Sequence, residues 1–414
     1  MTKKKKYILL SIVAACLLLV GGLGTWLYHT YLRGAAPALL PSQGDITQSL
    51  PSVTSDPNIP QNQTNLPLSL APEFHIAVFA KGLGDPRDLL RDPQGRLLVS
   101  VPGKGQVLSF STEAANLGAK QVLVEKLNKP HGLALHCTNT DCTLFIAEMN
   151  AVTAYPYTVS TGTLGTGTRI AELPTGGNHT SRSLHLLQST PPQLLVAIGS
   201  SCNVCEESDS RRGSILSMSL DGSNQQPYAT GLRNAVFFAN QPNSNAIWVT
   251  EMGRDLLGDN TPPDEVNILQ QGGKYGWPIC YGNKVHDTAF DKKQYIRDPC
   301  ADTITPTIAL PAHVAPLGLA FIPKTSPWPA SLQGHLLVAF HGSWNRSTPT
   351  GYKIVRYPLS GNTPSGEPVP VVDGFLPVGS KSALRRPVDL EVYPEGVVYV
   401  SDDKAGVIYQ LTLT

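Results

Sequence analysis

One unit recurs six times along this chain of 414 residues. Each copy sets a short apolar strand beside a second apolar strand that ends in polar residues. The copies read PRDLLRDPQGRLLVS, PHGLALHCTNTDCTLFIAE, SRSLHLLQSTPPQLLVAIGS, RNAVFFANQPNSNAIWVTE, PLGLAFIP…GHLLVAFHGS and RPVDLEVYPEGVVYVSDD. They begin at Pro86, Pro130, Ser181, Arg233, Pro316 and Arg386. A period of tens of residues, with paired strands in every unit, marks a β-propeller or another strand array. Six units predict an all-β, six-bladed β-propeller. In such a ring the loop leading into each innermost strand and the loop leaving its neighbour meet at one end of the central channel. The residues that converge there are Arg87, His131, His179, Arg182, Arg233, Asn234, His341 and Arg386. That set is strongly cationic, in a chain whose formal net charge is only +1.

Composition agrees. Charged residues make up 15%, while Gly (37) and Pro (35) are frequent enough for a turn-rich β domain. A near-neutral balance argues against a nucleic-acid binder, which needs a basic face. Lys3 to Lys6 precede an apolar stretch from Tyr7 to about Leu27, long enough for a bilayer span of about 20 residues. The lysines should stay in the cytoplasm and the rest of the chain should cross. A cleaved signal peptide and a lipoprotein box ending at Cys16 are the alternative readings. Residues 34–72 are rich in Pro, Ser, Gln and Asn and read as a flexible linker, which includes the formal sequon Asn62-Gln63-Thr64. The expected organisation is therefore a basic segment and membrane anchor (1–33), a linker (34–72) and a propeller (73–414), with the propeller in the periplasm or outside the cell.

Six cysteines beyond the anchor form three local pairs: Cys137/Cys142, Cys202/Cys205 and Cys280/Cys300. An even count outside the cytoplasm points to disulfides. For Cys202-Asn-Val-Cys205, haem attachment would need His next, where Glu206 stands, and zinc would need a second Cys or His pair. A loop-closing disulfide is the remaining reading.

Gly176-Gly177-Asn178-His179-Thr180-Ser181-Arg182 leads into an inner strand, which aims His179 at the channel. A glycine pair lets backbone approach a ligand closely, and a His titrating near neutral pH can act as a general base. Arg233-Asn234 and Arg386 hold the same place in later blades. Guanidinium groups gathered from several blades imply an anionic ligand at the centre. The loop from Glu251 to Glu265 holds five acids among glycines and exposed carbonyls, hard oxygen donors suited to Ca²⁺. A solvated acidic loop is the alternative. His341-Gly-Ser-Trp-Asn345-Arg346 sets donor side chains beside a ring able to cover a flat ligand.

These residues carry a resemblance. DNTPPDEVN followed by GGKYGWP resembles the pyrroloquinoline quinone (PQQ)-dependent sugar dehydrogenases. HGSWNRSTPTGYKIVR, PAHVAPLGLAF and RPVDLEVYPEGVVYVSDD resemble their sorbosone dehydrogenase branch. The likeness covers about residues 73–414 and implies a six-bladed quinoprotein, with PQQ and Ca²⁺ as cofactors. It implies that His179 is the catalytic base. It also implies that Arg233 and Asn234 contact the quinone and that Arg386 matches an Arg of the family's last blade. Arg182, His131, His341 and Asn345, placed at the same mouth by their loops, are expected to join them around the cofactor. The cofactor calcium would lie near Gly258, Asp259 and Asn260, although the family's Gly-Pro ligand pair is absent from this loop. A second calcium would use Glu265 and Tyr275.

The expected activity is oxidation of a sugar or related alcohol or aldehyde. The electrons would go to a membrane quinone or a periplasmic carrier, since no Gly-rich strand-to-helix fingerprint for NAD is visible. Two other readings share the architecture: a lactonase-type calcium hydrolase and a non-catalytic binding propeller. A lactonase channel needs carboxylate and amide ligands where this chain has Arg and His. A binding module leaves unexplained a cationic channel paired with an acidic loop.

Overall fold

The computed structural model describes residues 3–41, 60–139, 141–380 and 382–414. Part of the expected linker, residues 42–59, lies outside them. Six sheets of four or five strands form the ring. Each of the six repeats supplies one innermost strand: Leu89–Arg91, Leu133–Thr138, Leu184–Leu187, Ala235–Asn240, Pro316–Phe321 and Pro387–Tyr393. We number the blades one to six in that order.

The second strand of a blade is covered on both faces by neighbouring blades. Alternation therefore gives way to a continuous apolar run. Leu97–Val101, Ile247–Glu251 and Leu336–Phe340 are buried at every residue. Aromatic rings fill the wedges between blades, with Trp248 edge-on to Phe321 at 5.5 Å and Phe79 to Phe110 at 5.8 Å.

The ring closes with a strand from the other end of the domain. Phe74–Ala80 pairs antiparallel with Val407–Leu413 as the outermost strand of blade six. The sheet edge that would otherwise stay open is thereby paired. Residues 60–72 also lie on the ring. Leu66 and Leu68 are buried, and Ser69–Leu70 adds a strand to Val369–Asp373 of blade five.

Polar side chains tie blade to blade around the channel. The Leu133 amide donates to Asp88 Oδ2 at 2.7 Å, and the Leu89 amide to Asp389 Oδ2 at 2.8 Å. Thr250 Oγ1 donates to Leu317 O, and Ser401 Oγ to Arg87 O. These bonds hold the loops at the channel mouth in fixed relation. An insertion between the third and fourth strands of blade four includes Gly273–Lys274, which pairs with the outer strand of blade three. Its loop 281–299 is closed by the Cys280–Cys300 disulfide. Cys137–Cys142 and Cys202–Cys205 are bonded as well. At the N-terminus, the helix Lys3–Leu27 leads into a wider turn, Tyr28–Leu32, and is long and apolar enough to cross a membrane.

Candidate active site

His179 sits where the blade-three loop enters the channel mouth. Its Nδ1 lies 2.9 Å from Ser200 O and 3.0 Å from Ser200 Oγ. A carbonyl can only accept, so Nδ1 carries the proton and Nε2 presents a lone pair. Burial and the guanidinium of Arg233 lower its pKa to about 3, which keeps the ring neutral. Gly199 makes room for it. A Cβ there would fall 2.6 Å from both Asn234 Oδ1 and His179 Cβ. Only glycine lets these two side chains approach so closely.

Two charged clusters flank His179. In the first, Asp403 bridges blades: Arg87 Nη1 donates to Oδ2 at 2.6 Å, and His341 Nε2 meets Oδ1 at 2.9 Å. Burial would raise the Asp403 carboxyl, but His341, Arg87 and Arg386 together hold it well below the usual carboxylate range. Arg386 donates from Nε to His341 O and from Nη2 to Gly342 O, and lies over the Tyr352 ring. His131 is buried, with Nδ1 against Ser183 Oγ and Nε2 3.4 Å from Arg87 Nε. Burial, helped by Arg87, pushes its pKa down, and burial with Arg386 brings His341 to about 4. Arg87, His131, Asp403, Thr180 and Ser181 help line a cavity of about 320 Å³, within the range of about 300–1,000 Å³ usual for small-molecule sites.

The second cluster centres on Arg233, and every one of its N–H groups is used within the chain. Nε donates to Asn203 O, Nη1 to Gly253 O and Met252 O, and Nη2 to Asn203 Oδ1 and Asp255 Oδ2. Asn203 is the hub. Its Oδ1 also accepts the Asp255 amide at 2.7 Å, and its O accepts Trp277 Nε1. Asn345 Nδ2 donates to the other Asp255 oxygen at 2.9 Å. The Cys202–Cys205 disulfide brackets Asn203, and Ser200 Oγ donates to Cys202 O. One short loop thus positions both His179 and Arg233.

The structure brings together His131, His179, Arg233, Asn234, His341, Asn345 and Arg386. Arg182 is a correction. It is 0% exposed and donates to the carbonyls of His179, Ser181 and Pro174, so it braces the His179 loop and cannot touch a ligand.

The expected metal residues separate into two places. Gly258 O accepts from His313 Nε2, Asp259 is bound by Ser347, and Asn260 Oδ1 accepts from Arg346. Each of these three rim residues is engaged by a partner of its own. Glu265 is buried and faces Glu251 across paired strands. Both line a cavity of about 20 Å³ together with Asp287, room for about one water-sized occupant. Burial raises Glu251 well above its usual range, with Glu265 adding to the effect, and burial brings Glu265 to about 7. Tyr275 lines the same cavity, but its hydroxyl donates to Ile268 O and accepts from the Gln270 amide.

Sequence reasoning missed Ser200, Asn203 and Asp403 as partners and read Glu251 and Asp255 only as members of the acidic loop. Ser200, Glu251 and Asp403 share one signal, since each stands at or just beyond the end of a second strand. That position is as close to the mouth as the loops leading in.

Comparison with known proteins follows the same lines. An uncharacterized protein of Borreliella burgdorferi is 36% identical over 222 residues, covering 53% of this chain and 57% of that one. The pyrroloquinoline quinone-dependent pyranose dehydrogenase of Coprinopsis cinerea is 28% identical over 351 residues, covering 73% of this chain and 46% of that one. The chain therefore spans about half the length of these two curated relatives. The holo form of the Coprinopsis cinerea pyranose dehydrogenase PQQ domain shares the fold. Its TM-score is 0.72 and its identity 22%, over 86% of this chain and 99% of that one. The TrAA12-like family matches residues 68–414, and by that match the chain belongs to it.

Proposed function

We propose that the protein is a PQQ-dependent dehydrogenase that oxidises a sugar, of the aldose or sorbosone type, at a hydroxyl or aldehyde carbon. The observation that carries this reading is the state of His179: a neutral ring, Nδ1–H fixed on Ser200 O, and Nε2 open as a proton acceptor. The donor set fits a flat tricarboxylate. Arg87 and Arg386 each keep one terminal nitrogen without a partner among the described residues, while Arg233 adds positive charge from the wall. When bound, PQQ supplies the electrophilic quinone that takes the hydride.

The chain's own part is positional and electrostatic. His179 Nε2 takes the substrate hydroxyl proton. Its weak basicity follows from burial among guanidiniums. An anion bound beside Arg233 and Arg87 offsets that repulsion and raises His179 toward the working range. Arg386 and Arg87 face negative charge as it develops on the ligand. Glu251 and Glu265 form the best site for Ca²⁺, since two buried carboxylates that otherwise hold protons gain most from a hard cation. The apolar N-terminal helix serves as an uncleaved anchor with the propeller in the periplasm, and the three disulfides agree with an oxidising compartment.

The test is reconstitution of the full chain with PQQ and Ca²⁺, followed by dye-linked assays over aldoses, sorbosone and simple alcohols. Sugar-dependent dye reduction and bleaching of the bound quinone are expected. Stoichiometric quinone binding with no turnover on any sugar would remove the dehydrogenase reading. Absence of quinone binding would remove the cofactor.

A further inference from the structure

The propeller's exposed apolar side chains are unevenly placed. Among the described residues from 60 onward, the large exposed ones are Val122, Leu256, Val285, Tyr295, Ile296, Trp344 and Val378. Val122 lies on an outer strand at the side. The other six sit in loops at the channel mouth or in the blade-four insertion that rises to it. Arg254–Asp287 and Lys293–Glu206 place that insertion beside the mouth loops. Ile296 and Val378 are fully exposed, at 106% and 107%.

The N-terminal segment meets the same face. The Ala383 amide donates to Pro37 O, Ser382 Oγ to Pro41 O at 2.7 Å, and Lys404 Nζ to Ala38 O. Gly34 lies against Arg346 O so closely that no side chain fits. The apolar window ends at Leu32, two residues earlier, a reach of at most about 7 Å. Trp26, Tyr28 and Tyr31 cluster at that end of the helix, the ring types that settle at a membrane–water interface. If the helix spans the bilayer, the rim around Arg346 stands at headgroup level whatever the direction of the helix axis. The apolar side chains spread around that rim then decide the tilt.

We propose that the mouth face of the propeller rests on the membrane its own helix spans. Ile296, Val378, Trp344 and Leu256 dip into the lipid interface, and the site opens toward the bilayer. Lys292 and Arg297 beside Ile296 favour anionic headgroups. Electrons from the site then pass to a lipid-soluble quinone rather than a soluble carrier. This rests on the anchor and dehydrogenase readings above.

The test uses the full chain reconstituted in anionic lipid vesicles, with Cys16→Ser to remove the one free cysteine among the described residues. Single nitroxide labels are placed at Ile296, Val378, Leu19 and Asn245, the last in an exposed loop on the opposite face. Collision with oxygen is compared with collision with a water-soluble nickel chelate. Labels at 296 and 378 should be oxygen-rich and nickel-poor, shallower than the label at 19, while 245 stays in water. Labels at 296 and 378 as wet as 245, with 19 in lipid, would overturn the proposal and leave the anchor standing. A label at 19 that is lost or in water overturns the anchor and the proposal with it. A second readout keeps the chemistry separate. Ile296→Asp with Val378→Asp should lower reduction of long-chain ubiquinone confined to the vesicles several-fold, and leave reduction of a soluble dye unchanged. Equal rates with both acceptors in wild type and variant would also refute it.

Discussion

His179 and Asn203 differ in kind, and substitution separates them. Removing the His179 ring deletes a neutral base whose Nδ1 is already fixed on Ser200 O. His179→Ala should lower kcat about a hundredfold or more, with a smaller change in PQQ affinity measured by titration. The low pKa of His179, about 3, also sets a pH signature. Because a bound anion beside Arg233 raises that pKa toward the working range, kcat/KM of the PQQ-loaded protein should show an acid limb that is absent from the residual activity of His179→Ala. Asn203 touches no reacting atom, yet its Oδ1 serves Arg233 and Asp255 together. Asn203→Ala leaves a buried guanidinium N–H and an amide without an acceptor. It should cost on the order of 1–3 kcal/mol in denaturant unfolding, with weaker PQQ retention. Asn203→Asp should recover part of both, since it restores the acceptor.

At the scale of elements, two short disulfide loops make a controlled comparison. Cys202–Cys205 and Cys137–Cys142 close loops with separations of 3 and 5 residues. The chain-entropy contribution of each is about 2 kcal/mol, so replacing either pair with serine should lower the melting temperature by similar amounts. Activity should separate them. The first pair frames Ser200 and Asn203, and opening it should depress kcat/KM strongly. The second staples a hairpin of blade two away from the mouth and should leave kcat/KM unchanged. Equal kinetic effects would remove the cysteine loop from the site.

The same elements show what a sequence makes visible. The six inner strands were legible because each repeat carries its apolar run and turn residues locally. The cysteine pairs were legible for the same reason. Asp255 and Asp403 were not, because their meaning depends on Asn345, Arg87 and His341 in other blades. Arg182 misled for a related reason. Its place in the loop leading into blade three matches that of Arg233 and Arg386 in later blades, and only packing shows that its side chain is spent on the carbonyls of its own loop. The metal loop could not be read further because composition identifies oxygen donors without showing whether they converge.

For the whole molecule, acidity and metal should be linked through Glu251 and Glu265. Both carboxyls have pKa values above their ordinary range, so without a cation they favour the fold while protonated. That contribution is lost as pH rises from the ordinary glutamate range through about 7 for Glu265. A cation that requires them ionised should therefore stabilise more at high pH. The rise in melting temperature on adding Ca²⁺ should be larger at pH 8 than at pH 5, and Glu265→Gln should reduce it at both. A calcium effect independent of pH and of Glu265 would place the ion elsewhere.

The closing pair of Phe74–Ala80 with Val407–Leu413 also dictates an order of events during synthesis. Phe74–Ala80 leaves the ribosome before any of the inner strands, and its partner leaves last. Until then its unpaired amides and carbonyls are an adhesive edge, and the ring has no closed intermediate in which to hide it. Pairing across nearly the full domain is slow for entropic reasons. A chain that stops short of Val407 is therefore a five-and-a-half-bladed arc seeking a strand, not a smaller propeller. Such products should be cleared by proteolysis or recovered as aggregates.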